Sequence, residues 1–316
     1  MQVSRFHQIL LLLLAGWMLS TSAWADVLPA PSKISAHSWA WIGPYGGPSK
    51  ANQGFRMNLG FVVGKQAVAV IDTGYTEAMA EAMLKQIRQI TPLPVKYAIN
   101  SNSQPHRFMG NEVFRRAGAT LIAHTDAAPR MREQSPSFAR GIASVLELPE
   151  GSIKSPSSPN RLIQKTIRLD LGGVKLEVLP MGHAHTPGSL AVKVMPDRVI
   201  YAGDVLYGDR LLALLPESNL SGWLAAYDAL KPYSKYTFIP GHGRPGRLAA
   251  FEKPTYLYLS TLKTHMERMV QDGKDMQEAI RNLDQSPWAH LANFDELAGR
   301  NAHQAYTQSE TSAFGF

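Results

Sequence analysis

The sequence predicts an α/β fold in which two sheets pack face to face, with helices outside and a helical tail. Three observations carry that expectation. Short apolar runs bounded by Gly, Pro and Asn alternate with stretches of helical spacing, the pattern of an α/β protein. The runs form two groups, one ending at Ala123 and one beginning at Thr166, each flanked by helical stretches. From about Ala249 the helical spacing continues to near the end of the chain.

The elements follow in order. Arg5 gives a positive start, Ile9 to Leu19 an apolar run too short to span a bilayer comfortably, and Ala23-Trp24-Ala25 a small-x-small cleavage site. Residues 1–25 therefore read as a secretory signal peptide cleaved near Ala25. The expected product is periplasmic or secreted, with no stable membrane anchor after cleavage. Residues 26–55 are rich in Pro, Gly and Ser and read as an extended lead-in. Phe61 to Val63 and Ala67 to Ile71, separated by Gly64-Lys65, read as a hairpin. Thr76 to Ile90 has helical spacing, with Met79, Met83, Ile87 and Ile90 on one face.

Val95 to Ile99 reads as a strand opening into a loop from Asn100 to Phe108. A short helix after Gly110-Asn111 and a strand from Thr120 to Ala123 follow. Ser135 to Leu148 is read as helical and Gly151 to Asn160 as an exposed loop. The second group comprises Thr166 to Leu171, a turn at Gly172-Gly173, Val174 to Leu179, Leu190 to Val194 and Val199 to Ala202. A helix from Ser221 to Leu230 and a last strand from Tyr236 to Ile239 complete it. In the tail, Leu257, Leu259, Leu262 and Met266 to Val270 read as core positions rather than a cofactor box.

Composition narrows the function. The formal net charge is +7, with Lys and Arg scattered and no run of five. Without interleaved aromatics this reads as a solvated basic surface, and nucleic acid is not expected as a partner. A basic balance is compatible with an anionic small-molecule substrate. Cysteine is absent, so disulfides, thiolate ligands and thiol nucleophiles are excluded, and a metal would rest on His, Asp or Glu.

The chemical residues stand out by placement. His106, His183, His185 and His242 fall just after apolar strand-like runs, as do Asp72 and Asp204. In α/β sheets the loops at the carboxyl ends of strands converge on one crevice. Several such residues together read as a site.

At these residues the chain resembles the metallo-β-lactamase superfamily. Asn58-Leu59-Gly60-Phe61 with Val70-Ile71-Asp72-Thr73-Gly74 resembles its opening, and Met181 to Leu190 resembles the segment around its middle histidine ligand, here His185. Tyr201-Ala202-Gly203-Asp204 resembles the strand end bearing the bridging aspartate. Ile239-Pro240-Gly241-His242-Gly243 resembles the segment with the last histidine. The order of blocks agrees from about residue 37 to 247. The resemblance implies an αββα sandwich over residues 26–248, with residues 249–316 as a helical extension packed on it. The tail, with Asn301 and Ala305-Tyr306 near Glu310, is similar to periplasmic members linked with quinoprotein systems of methylotrophs.

The signature block departs from the family pattern His-x-His-x-Asp-His. Anchored on Gly110-Asn111, the chain carries Asn102-Ser103-Gln104-Pro105-His106-Arg107. Asn102 and Gln104 stand where two histidine ligands belong, His106 replaces the aspartate and Arg107 the last histidine. An amide oxygen is a weak neutral donor, and a guanidinium cannot ligate. The resemblance thus implies at most one zinc ion, with His106, His185, Asp204 and His242 as candidate ligands and His106 and Asp204 as candidate catalytic groups. Asp72, Asn102, Gln104, Arg107 and His183 are candidates for supporting the ligands or meeting substrate; Asp72 is expected either to pair with Arg107 or to fix its loop. Two functions follow. One is a zinc hydrolase attacking an ester, thioester or lactam carbonyl. The other is a non-catalytic binding or accessory protein that kept the sandwich and lost the chemistry.

Overall fold

A computed structural model describes residues 27–315. The segment that the sequence reads as a signal peptide lies outside the described residues. Among those described, no helix is long and apolar enough to cross a membrane.

Two mixed sheets form the centre of the molecule. The first has seven strands in chain order: β1 (Ser32–Lys33), β2 (Ser38–Trp41), β3 (Leu59–Val63), β4 (Val68–Ile71), β5 (Val95–Ile99), β6 (Thr120–His124) and β7 (Arg161–Ile163). β1 to β4 pair antiparallel, and β4 to β7 parallel. The second has five: β8 (Ile167–Asp170), β9 (Lys175–Gly182), β10 (Ser189–Val194), β11 (Val199–Tyr207) and β12 (Thr237–His242), the last two parallel. The expected two-sheet sandwich is present.

Three apolar layers hold it. Between the sheets lie Val62, Ala69, Ile71, Ile99 and Ile122 from one side, with Val178, Leu190, Val192 and Ile239 from the other. Outside the first sheet, α1 (Glu77–Ile90), α3 (Asn111–Arg116) and α4 (Ala127–Val145) bury Met79, Met83, Ile87, Val113, Phe114, Met131 and Ile142. Outside the second, α5 (Leu220–Leu230) and the C-terminal α6 (Tyr258–Gln271), α7 (Met276–Arg281) and α8 (Phe294–Phe314) bury Trp223, Leu259, Leu262, Met266 and Ala302. The Met-bearing stripe of the tail is therefore core. β10 and β11 are buried along their whole length because both faces are covered.

Several boundaries differ from the sequence reading. The lead-in contains β1 and β2, which pair onto the sheet edge, and β7 follows the exposed loop. These strands are short and take their shape from their neighbours, so little period shows in the sequence. A short helix α2 (Pro105–Phe108) interrupts the expected loop, and Pro105 at its first position suits a helix start. Helix α4 begins at Ala127, well before Ser135, and carries Pro136 inside. Helix α1 starts where Thr76 accepts a hydrogen bond from the Met79 N–H, as an N-cap should. Ile90, its last residue, is exposed rather than buried.

Candidate metal centre

The signature segment leaves the carboxyl end of β5, Asp72 follows β4, His183 and His185 follow β9, Asp204 lies within β11 and His242 closes β12. Arg107, one of the largest fully buried side chains, lies at the centre of this convergence. Its Nε donates to Asp204 Oδ2 at 3.0 Å and its Nη2 to Asp204 Oδ1 at 2.6 Å. Nη1 donates to Asp72 Oδ2 at 3.0 Å and to the Asn58 carbonyl at 2.8 Å, and Nη2 also reaches the Gly241 carbonyl at 3.1 Å. A guanidinium has five N–H donors. All five are matched here.

Asp72 takes both roles considered for it. Its Oδ1 accepts from the Ser101 N–H at 2.7 Å and its Oδ2 from Ser101 Oγ at 2.9 Å, besides Arg107. Its backbone has φ 62°, in the left-handed region that Asp tolerates better than most residues. Burial pushes its pKa up to about 6 against the pull of Arg107 and Ser101. Asp204 is equally buried, yet the Arg107 guanidinium holds its carboxyl well below the usual range. The bidentate geometry supports an ionised Asp204.

Asn102 and Gln104 occupy the ligand positions of the signature. Asn102 turns its amide onto Asp204, donating from Nδ2 to Oδ2 at 2.7 Å. Gln104 points elsewhere, donating to Glu217 Oε1 at 3.1 Å. Arg130 also donates to that oxygen. His183 is exposed and donates from Nε2 to the Glu217 carbonyl at 2.6 Å.

His106, Asp204 and His242 bring one donor atom each within 4.8 Å of one another. His106 Nε2 stands 3.4 Å from Asp204 Oδ2, and His242 Nε2 stands 3.5 Å from Asp204 Oδ1. Donors at about 2.0–2.1 Å from a tetrahedral ion are about 3.3–3.4 Å apart, so these spacings fit. His242 donates from Nδ1 to the Arg56 carbonyl at 2.9 Å. A carbonyl can only accept, so the proton is on Nδ1 and the Nε2 lone pair faces the carboxylate. His106 Nε2 is buried without a hydrogen-bond partner. Burial, aided by the nearby Arg107 charge, pushes the His106 pKa down to about 3, and burial also holds His242 well below its usual value. Both rings are neutral, the state in which imidazole ligates. This donor set fits one divalent ion.

His185 does not join that group. Its ring lies against Trp223 at 5.0 Å and Tyr207 at 5.9 Å between centroids, and its buried Nδ1 has no hydrogen-bond partner. The structure thus brings together three of the four candidate ligands and leaves the fourth in an aromatic niche. Sequence reasoning missed Tyr207, which stacks on His242 at 5.0 Å, and the role of Asn58. Asn58 donates to the carbonyls of Pro240 and Gly243 and fastens the His242 loop. Its position in the opening block was visible, but its partners are far away in the chain. Gly241 permits the close approach at the centre. A Cβ there would stand 2.2 Å from Asp204 Oδ1 and 2.7 Å from Arg107 Nη2.

Comparison with known proteins agrees with the fold. The sequence model of the metallo-beta-lactamase superfamily matches residues 54–242. The acyl-coenzyme A thioesterase MBLAC2 of Gallus gallus is 31% identical over 75 residues, which are 24% of this chain and 27% of the length of that relative. A metallo-beta-lactamase from Pontibacter korlensis has a TM-score of 0.58 at 20% identity, covering 73% of this chain and 98% of its own. The metallo-beta-lactamase DIM-1 has a TM-score of 0.57 at 17% identity, covering 74% of this chain and 99% of its own. At such identities the solved structures speak for the fold.

Proposed function

Because the chain belongs to the metallo-beta-lactamase superfamily, we propose that it is an exported hydrolase that holds a single zinc ion on His106, Asp204 and His242 and attacks an ester, thioester or lactam carbonyl. The observation that carries this reading is the convergence of two neutral imidazoles and one ionised carboxylate, with His106 Nε2 buried and unpartnered. Imidazole nitrogen and carboxylate oxygen are ordinary zinc donors, and three protein ligands with an open position are the pattern of a catalytic site. Among the described residues a second ion finds no donor set, since Asn102 faces Asp204, Gln104 faces Glu217 and His185 stands apart.

Each residue has a part in this mechanism. Zinc, when bound, brings the pKa of its water toward about 7 and polarises a carbonyl. Arg107 keeps Asp204 ionised and fixed in orientation, while Asp72 balances part of the guanidinium charge. The Arg56 carbonyl sets the His242 tautomer. Burial around the group strengthens the electrostatics by excluding water. His106 brings no negative charge where relatives carry an aspartate, so turnover slower than theirs is expected.

One observation favours a second reading, a binding or accessory protein without turnover. Asp204 already accepts three hydrogen bonds, from Arg107 Nε, Arg107 Nη2 and Asn102 Nδ2, and is satisfied without an ion. Elemental analysis of freshly purified protein separates the two. The hydrolase reading expects about one zinc per chain, loss of that zinc in His242→Ala, and chelator-sensitive hydrolysis of a generic thioester or lactam. Fully folded protein that takes up no zinc when it is supplied would defeat it.

A further inference from the structure

Basic residues that lie scattered along the sequence converge at the end of the second sheet opposite the metal group. Arg198 closes the turn between β10 and β11, Lys235 stands just before β12, and Arg247 follows it. With Asp197, Ser234 and Thr237 they line a cleft of about 540 Å³ whose wall contains no apolar residue. β11 runs from this end toward the metal group, with Asp204 six residues beyond Arg198. At about 3.3 Å per residue, the cleft lies roughly 20 Å from that group.

The cations of this cleft are unanswered. Their neighbours along the chain pair with acids, Lys231 with Asp228 at 2.6 Å and Arg244 with Asp209 at 2.8 Å. Among the described residues no carboxylate pairs with Arg198, Lys235 or Arg247. The one acid in the wall is already committed elsewhere. Asp197 accepts at Oδ1 from His37 Nδ1 at 2.6 Å, and at Oδ2 from the His37 N–H at 2.9 Å, Ser38 Oγ at 2.8 Å and Ser35 Oγ. Its side chain is only 2% exposed. Both guanidinium groups are held in place: Arg198 lies over the Tyr236 ring at 5.2 Å, and Arg247 Nη1 donates to the Lys235 carbonyl. The frame beneath them is pinned as well. Thr237 donates its N–H to the Arg198 carbonyl at 3.0 Å, and Phe238 and Gly246 exchange backbone hydrogen bonds at 2.7 and 3.0 Å. The hydroxyls of Ser234 and Thr237 have no hydrogen-bond partner among the described residues.

We propose that this cleft binds a phosphate group, as the free ion or as a monoester, on Arg198, Lys235 and Arg247, with the hydroxyls of Ser234 and Thr237 as further donors. Three like charges around one cleft repel one another, and a dianion relieves that repulsion better than a carboxylate does. A phosphate monoester carries a charge of about −1.5 to −2 near neutral pH and has three strong acceptor oxygens. Guanidinium forks match those oxygens in geometry. The cleft also has room for the group that bears the phosphate, and its polar wall suits a hydroxylated one. Because the cleft stands apart from the metal group, binding needs neither zinc nor turnover.

The test is calorimetric titration of the purified protein with sodium phosphate and glycerol phosphate, with sodium acetate and glycerol as controls, at an ionic strength of about 0.15 M. Saturable binding of a phosphate probe is expected, about tenfold tighter than acetate, and glycerol should not bind. Arg198→Gln and Arg247→Gln change exposed positions, so the fold should persist, and each should weaken the phosphate probe about fivefold. Arg140→Gln removes the same charge from an exposed position on α4. It should change the affinity less than about twofold, because charges beyond about 8 Å are screened. Glycerol phosphate binding tighter than inorganic phosphate would assign a monoester, and any other order the free ion. Absence of saturable binding would overturn the proposal. So would acetate that binds as tightly as phosphate, or a loss in Arg140→Gln equal to that in the two cleft variants. Zinc uptake by Arg198→Gln should match the wild type, so this proposal and the hydrolase reading fail separately.

Discussion

Replacing Arg107 by glutamine is the sharpest single perturbation of the centre. The wild-type guanidinium spends five donors on Asp204, Asp72 and the carbonyls of Asn58 and Gly241, all in a fully buried position. Glutamine brings two donors and no charge, so two buried carboxylates lose their counter-ion together. Breaking a buried ion pair by removing one partner costs about 3–5 kcal/mol. At an m-value of about 3 kcal/mol/M in urea, the midpoint should fall by about 1–1.7 M. Arg107→Lys keeps the charge but has only three donors, so a loss of about 1–3 kcal/mol is expected. The deficit of Arg107→Gln should narrow as pH falls from about 7 to 5, because protonated carboxyls need no counter-ion. Added zinc should stabilise Arg107→Gln more than wild type, since a divalent ion can then answer Asp204. A loss below about 1 kcal/mol, the range of exposed pairs, with no dependence on pH, would refute this account of the centre.

Three further outcomes follow from the same geometry. In metal-free protein, His106 titrates at about 3, with His185 and His242 also below their usual range. The unfolded chain gains these protons from about pH 6.5 downward while the folded chain does not, so stability falls as pH drops. Asp72, raised to about 6, acts oppositely: the folded state takes up its proton first, which adds stability between about pH 6 and its ordinary value near 3.8. Three imidazoles outweigh one carboxyl, and Tm is expected to decline from pH 7 to 5; a rise would contradict the assignment of neutral rings. Gly241→Ala places a methyl group against Asp204 and Arg107 and should lose about 1–3 kcal/mol through overpacking, read by urea unfolding. Asn301→Ala removes the contacts to Leu212, Leu214 and the Tyr258 hydroxyl. It should cost about 1–3 kcal/mol and speed hydrogen exchange across residues 208–220.

The fold was legible because its signals are local. Period-two and unbroken apolar runs marked β3 to β6 and β8 to β12, and helical spacing marked α1, α5 and the tail. The order of four short blocks then pointed to the αββα sandwich. What escaped was set by neighbours rather than by period: the edge strands β1 and β7, the short β2 beside β1, and the early start of α4, whose first turns carry few apolar residues.

The site divides in the same way. The sequence by itself determined its chemistry, because Asn102, Gln104 and Arg107 cannot do what histidines do, and no arrangement in space restores a lost imidazole. Tertiary structure decided which groups meet. His106 comes from α2, Asp204 from β11 and His242 from the end of β12, and only the packing of one sheet on the other brings their donors together while leaving His185 against Trp223. The physical reason is range. Ligand identity is carried by a single side chain, whereas a spacing of a few ångströms between residues about a hundred positions apart depends on every layer between them.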